Sequence, residues 1–243
     1  MRAEDVEREK RRKFIVIGGI IAVVLISVVY AWKLRTDPII ARESFDAGER
    51  LLSAQRYNEA ALSFSRTISL QPKFSEAYFL RGRAYASLFL WSRAIADFTK
   101  LIELQPRDAR AYVARGQAWL ETKDLDRTIA DATKAIEFDP KAGDAYNLRG
   151  MSEREKGRND EALKDFNQAI RAQPNADNYF QRGLLYQTLG RYAEAEADFT
   201  TVIQYIPDAS HPYFARAAAR RELGNEKGAR EDHRMGRHFD GSR

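Results

Sequence analysis

A chain of 243 residues, 44% hydrophobic and 31% charged, is long enough for one sizeable domain or for a repeat array with a small appendage. It contains no cysteine, which excludes a disulfide framework and a thiolate metal site. The formal net charge is +5; residues 1–13 hold six Lys/Arg against four Asp/Glu, which leaves the remainder with 34 against 31. Such a nearly balanced body lacks the concentrated basic face of a nucleic-acid binder.

The first predicted element follows the basic tail, residues 1–13. Residues 14–32, FIVIGGIIAVVLISVVYAW, are nineteen positions without a charge. As a helix they span roughly 28 Å, close to the thickness of a bilayer's hydrocarbon core. Tyr30 and Trp32 stand at the far end, where amphipathic rings favour the interface. Lys10, Arg11, Arg12 and Lys13 precede the run directly, and this excess of positive charge predicts a cytoplasmic N-terminus with the rest of the chain translocated. The alternative is a cleaved signal peptide, for which Val29-Tyr30-Ala31 offers a small-x-small site, although the run exceeds the usual length of such segments. Gly18 and Ala22 form a small-xxx-small pair able to seat a partner helix; a lipid-facing anchor is the plainer reading. Residues 33–40 are a short linker.

From residue 41 the chain repeats. Pro72, Pro106, Pro140 and Pro174 are 34 apart and Pro207 follows after 33, the signature of stacked units. We number the slots of each period from Ala41, Ser75, Ala109, Gly143, Ala176 and Ser210. Slot 4 is then Ser44, Tyr78, Tyr112, Tyr146, Tyr179 and Tyr213. Slot 8 is Gly48, Gly82, Gly116, Gly150, Gly183 and Ala217. Slot 20 is Ala60, Ala94, Thr128, Ala162, Ala195 and Ala229, and slot 24 is Phe64, Phe98, Ala132, Phe166, Phe199 and His233. Each period holds two amphipathic stretches joined by turn residues such as Gly157, Gly190 and Gly224, and the proline ends the second stretch. The expectation is an antiparallel helix pair per period, with small residues at slots 8 and 20 permitting close approach.

These columns, with an aromatic at slot 11 in Tyr85, Trp119 and Tyr186, resemble the tetratricopeptide repeat. The resemblance covers 41–243 as six units. The sixth departs at Ala217, Arg220, His233 and Gly236 and reads as a cap. It implies an all-α, right-handed superhelical solenoid of six helix pairs, here preceded by one transmembrane helix, whose inner groove binds extended or helical peptides. In one variant of the family, Lys and Asn at slots 5 and 9 clamp the carboxylates of chaperone tails; no repeat here supplies that set.

An Arg-Gly pair recurs at slots 7 and 8. Slot 7 is Arg81, Arg115, Arg149, Arg182 and Arg216, with Ala47 in the first unit. Slot 23 is Asp97, Asp131, Asp165, Asp198 and Asp232, with Ser63 in the first unit. The unit without the Arg also lacks the Asp, which predicts an ion pair within each of the other five. The competing reading is an anion-binding stripe of arginines.

Slots 2, 5, 9 and 12 share one helix face and are not used by the packing columns. The residues expected to line a partner-binding groove are Phe45, Phe79, Arg83, Val113, Gln117, Asn147, Met151, Phe180, Leu184 and Phe214. Packing of the slot-5 rings between repeats is the other reading. Phe89 and Leu90 put apolar side chains in a turn where other repeats carry polar ones; they either bury on a neighbouring turn or present an edge patch to a partner or the membrane.

No enzyme motif stands out. His211, His233 and His238 lack metal-ligand spacing, and there is no phosphate-cradling loop or nucleophile elbow. The reading is a non-catalytic protein without cofactors, anchored once in a membrane, bacterial inner membrane for preference, with its solenoid on the extracytoplasmic side. There it binds and positions protein or peptide partners as an accessory or assembly factor of an envelope membrane-protein complex. The alternatives are an outer-mitochondrial-type import receptor with a cytosolic solenoid, or a soluble periplasmic chaperone if residues 1–31 are removed.

Overall fold

The computed structural model describes residues 25–27 and 37–241. The basic tail, most of the apolar run 14–32 and residues 33–36 of the linker lie outside the described residues. Among the described residues no helix is long and apolar enough to cross a membrane.

The described chain is helical throughout: α1 (37–53), α2 (Tyr57–Leu70), α3 (Ser75–Ser87), α4 (Trp91–Leu104), α5 (Ala109–Glu121), α6 (Leu125–Phe138), α7 (Gly143–Glu155), α8 (Asn159–Ala172), α9 (Ala176–Thr188), α10 (Tyr192–Tyr205), α11 (Ser210–Glu222) and α12 (Glu226–Asp240). Odd-numbered helices open each period and even-numbered ones close it. The expected linker is corrected here: residues 37–40 already belong to α1.

Local chemistry sets both ends of the pair. The first helix always stops the same way. Slot 15 takes a left-handed conformation in all six periods, at Gln55, Phe89, Lys123, Gly157, Gly190 and Gly224, with φ between 58° and 77°. The next residue's N–H then bonds the carbonyl five positions back, as in Arg56 to Leu51, Leu90 to Tyr85 and Arg191 to Tyr186, at 2.8–2.9 Å; this is the six-to-one bond of a Schellman ending. The second helix stops because slot 31 precedes a proline. Gln71, Gln105, Asp139, Gln173 and Ile206 leave the helix with φ between −133° and −150°, as the clash of a following proline ring demands.

The chain divides into two compact units at Ala84 and Tyr85. In the first, the ring edge of Phe64 fills the space a Cβ on Gly48 would need, 2.6 Å away. Phe45 packs, with its ring tilted, against Phe64 and Phe74, with centroids 5.6 and 4.7 Å apart. In the second unit each odd helix packs on the even helix of its own period and on that of the period before. The odd helices α5, α7, α9 and α11 also touch one another in succession, whereas the even helices α4 to α12 do not. The first helices therefore form the inner layer of this unit and the second helices the outer one.

The same exchange of ring for Cβ recurs at Gly150 with Phe166 and Gly183 with Phe199, at 2.9 and 2.7 Å. Where slot 24 is Ala132, Leu148 of the next period reaches to 2.8 Å from the Gly116 Cβ position instead. In the last period the pair is reversed. Gly236 sits on α12 and the Phe214 ring on α11 fills its space at 2.7 Å. Ala217 and His233, out of pattern as a sequence, follow from that reversal.

Candidate peptide-binding face

Ion pairs fix the spacing of the helices that carry the inner face. Arg115 donates from Nε and Nη2 to the two oxygens of Asp131 at 2.8 and 2.7 Å. Arg149 with Asp165, Arg182 with Asp198, and Arg216 with Asp232 repeat this two-pronged geometry at 2.7–2.9 Å. The carboxylates are buried, and the planar guanidinium suits the role because both prongs close together. Hydrogen bonding to the aspartates holds the pKa of Arg115, Arg149 and Arg182 above the ordinary arginine value. Arg81 and Asp97 lie in different compact units.

A third contact went unread in the sequence. The Nη1 of each of these arginines donates to slot 25 of the preceding period: Arg115 to Thr99, Arg149 to Thr133, Arg182 to Asn167 and Arg216 to Thr200, at 2.7–3.3 Å. In the first unit Arg81 reaches Ser65 at 2.9 Å. Each arginine thus braces two periods. The signal was the run of side-chain acceptors Ser65, Thr99, Thr133, Asn167 and Thr200 at one slot, broken at Arg234. Slot 4 reaches backward in the same sense: the hydroxyls of Tyr78, Tyr112 and Tyr213 donate to the carbonyls of Pro72, Pro106 and Pro207 at 3.0–3.2 Å. In the last period Arg220 also binds Asp232 at 2.9 Å and Glu196 of α10 at 2.7 Å.

With the arginines so engaged, the open chemistry lies at slots 5, 9 and 12. Phe45 is withdrawn from the expected groove: it is 4% exposed, and the rings of Phe64 and Phe74 cover it. Asn147 is 7% exposed and its amide donates to Asp177 at 2.5 Å. Phe79 is half-buried with the Arg83 guanidinium 5.9 Å from its ring centre. Gln117 is exposed and donates to Glu121 at 3.3 Å. Val113, Met151, Phe180 and Leu184 are half-buried and rest on the core below them. Phe180 lies 5.6 Å from Phe199 and 4.8 Å, edge-on, from His211. Phe214 is also half-buried, 5.7 Å from His233. The second unit therefore presents a row of partly covered apolar side chains on its inner layer. Arg154, at slot 12 of α7, is also half-buried.

At the turn of the second period, Phe89 is 76% exposed and Leu90 39% exposed. Burial on a neighbouring turn is therefore ruled out for Phe89, whose ring meets the edge of Trp91 at 5.8 Å.

Two family models, both described as Tetratricopeptide repeat, match residues 45–88 and 90–142, and residues 143–176 and 176–209. The chain belongs to the tetratricopeptide repeat family, whose members are scaffolds for protein–protein interaction, typically non-enzymatic, that bind proteins or peptides. No curated protein matches the sequence. Among solved structures it is similar to PilW, described as a widely conserved type IV pilus biogenesis factor, with a TM-score of 0.76 and 17% identity over 84% of this chain and 95% of that one. It is also similar to TTC0263, a thermophilic TPR protein of Thermus thermophilus, with a TM-score of 0.62 and 20% identity over 74% of this chain and 98% of that one. YrrB, described as a TPR protein with an unusual peptide-binding site, gives a TM-score of 0.57 and 20% identity over 75% and 94%. At these identities the likeness establishes the fold: an all-α solenoid of helix pairs.

Proposed function

We propose that this protein is a membrane-anchored scaffold that holds an extended segment of a partner protein on its inner layer. The observation that carries the binding reading is the row Val113, Met151, Phe180, Leu184 and Phe214. These side chains are half-buried at the slots left over once the core and the ion pairs are formed. Such side chains can lose their remaining solvent contact only to a ligand, which is how anchor residues at an interface contribute. The anchoring reading rests on the uncharged run 14–32 with its basic N-terminal flank. It puts the solenoid on the extracytoplasmic side of a bacterial inner membrane, in the service of an envelope complex. The likeness to PilW, described as a type IV pilus biogenesis factor, is consistent with that reading.

The binding reading is tested with the full chain in detergent micelles, used to select peptides from a displayed random library. A selected peptide is then titrated against wild type and Phe180→Ala beside thermal melts of both. The variant should melt cooperatively and its folded fraction bind about 30-fold more weakly, as loss of an anchor worth about 2 kcal/mol requires. Unchanged affinity of the folded fraction, with a lower melting temperature, would make Phe180 a core residue and overturn the groove.

A further inference from the structure

Arg154 stands apart from the other part-buried arginines of the second unit. Arg115, Arg149, Arg182, Arg216 and Arg220 each hold a carboxylate within 2.9 Å. Arg154 holds none. Its hydrogen bond is from Nη1 to the backbone carbonyl of Gln181, at 3.4 Å, and the Phe166 ring centre lies 6.0 Å from its guanidinium. A guanidinium has five N–H donors, so most of its capacity is unused. Asp177 of α9 does not serve it: Asp177 accepts from Asn147 at 2.5 Å and Gln181 at 3.3 Å. Glu153, one residue before it, pairs with Arg158. Burial lowers the Arg154 pKa from the ordinary arginine value, and Glu155 offsets this only in part, so the charge is kept at a cost that a ligand anion would relieve.

We propose that Arg154 is the carboxylate-binding residue of the inner face and receives the side chain of an Asp or Glu from an extended peptide lying across α7 and α9. The inference rests on the peptide-binding reading of the same face. Three observations fix the ligand's chemistry. Arg154 sits at the slot that follows Met151 on the same helix face, so the anion arrives beside apolar contacts. Its partner slot on α9 is the neutral Gln187, whose amide donates to the Ala215 carbonyl at 3.0 Å, so α9 brings no second cation at this slot. Apolar groove residues continue on both sides within the unit, Val113 before it and Phe214 after it. A peptide seated here has residues in both directions, and the carboxylate is therefore a side chain and not a chain end.

The library is displayed as random dodecapeptides flanked on both sides by fixed sequence, so that any carboxylate selected is internal. Selection on the full chain in micelles should enrich Asp or Glu at one position. In a synthetic peptide, changing that acid to its amide should weaken binding to wild type about tenfold or more, the effect of a close charge pair at an interface. In Arg154→Met the same change should cost nothing. Selection on Arg154→Glu should favour Lys or Arg at that position. If Arg154→Met does not melt cooperatively, Arg154→Lys carries the cycle, because it keeps the charge but loses the planar fork; the acid-to-amide penalty should then shrink. Peptides selected without acid preference, or an acid-to-amide penalty equal in wild type and variant, overturn the assignment. If such peptides remain sensitive to Phe180→Ala, the groove stands and the Arg154 role alone falls; a library that yields no binder removes both.

Discussion

An arginine at slot 7 serves two periods at once. Its Nε and Nη2 hold the aspartate of its own hairpin, and its Nη1 holds the slot-25 oxygen of the hairpin before. A lysine has no such fixed fork, which is why arginine occupies the slot wherever there is a preceding period to reach. Ala47 in the first period has nothing behind it among the repeats, and Ser63 accordingly needs no charge. Arg115→Ala and Asp131→Ala should each destabilise the array by about 1.5–3 kcal/mol, the range for hydrogen bonds to charged groups. The double variant should lose less than the sum, with a coupling of roughly 0.5–3 kcal/mol. Denaturant titrations of the four proteins measure this, and additive losses would show that the two side chains act separately.

At the scale of the element, one helix ending is used six times with two kinds of residue. Three periods place glycine at the left-handed slot; the other three place Gln55, Phe89 and Lys123 there. A side chain in that region costs roughly 1–2 kcal/mol relative to glycine, so Gln55→Gly should raise stability by about 1 kcal/mol. Phe89→Gly should gain less, because the edge-on contact with Trp91 is lost, and aromatic pairs contribute about 0.5–1.5 kcal/mol. Melting temperatures of the two variants against wild type decide the order, and a destabilising Gln55→Gly would show that the turn is not limited by this strain. A bulky ring is thus kept where the backbone resists it and where burial contributes little, which makes the edge at Phe89 and Leu90 the second surface to watch in any mapped interface.

At the scale of the whole molecule, the proposed function depends on which side of a membrane the solenoid occupies. If Lys10, Arg11, Arg12 and Lys13 orient the apolar run, replacing all four with neutral residues should scramble or invert the topology. Protease protection of the solenoid in sealed membrane vesicles gives the answer, and an unchanged pattern would assign the orientation to another signal. The same assay on the wild type separates an extracytoplasmic scaffold from a receptor facing the cytosol, and the sequence of the mature N-terminus identifies a cleaved, soluble form.

The sequence by itself determined the period, the helix pair and the family, because those rest on features that act locally and repeat: prolines that end a helix, glycines at the packing and turn slots, and rings at fixed spacing. The joint absence of Arg and Asp from the first period was equally legible, since a pair leaves two marks in one alignment. What only the tertiary structure decided concerns neighbours that no spacing within a period reveals. Phe45 shares slot 5 with Phe180, yet Phe74 covers it, whereas Phe180 keeps part of its ring open. Asn147 looked like a groove amide and is held by Asp177 of the next period. Residues 37–40 looked like linker around a proline and belong to α1. Arg154 is as charged as the slot-7 arginines, and only the three-dimensional arrangement shows that Asp177 is held by Asn147 and Gln181, and Glu153 by Arg158. Exposure and pairing are properties of the packed neighbours, and those are chosen by the stacking of one period on the next.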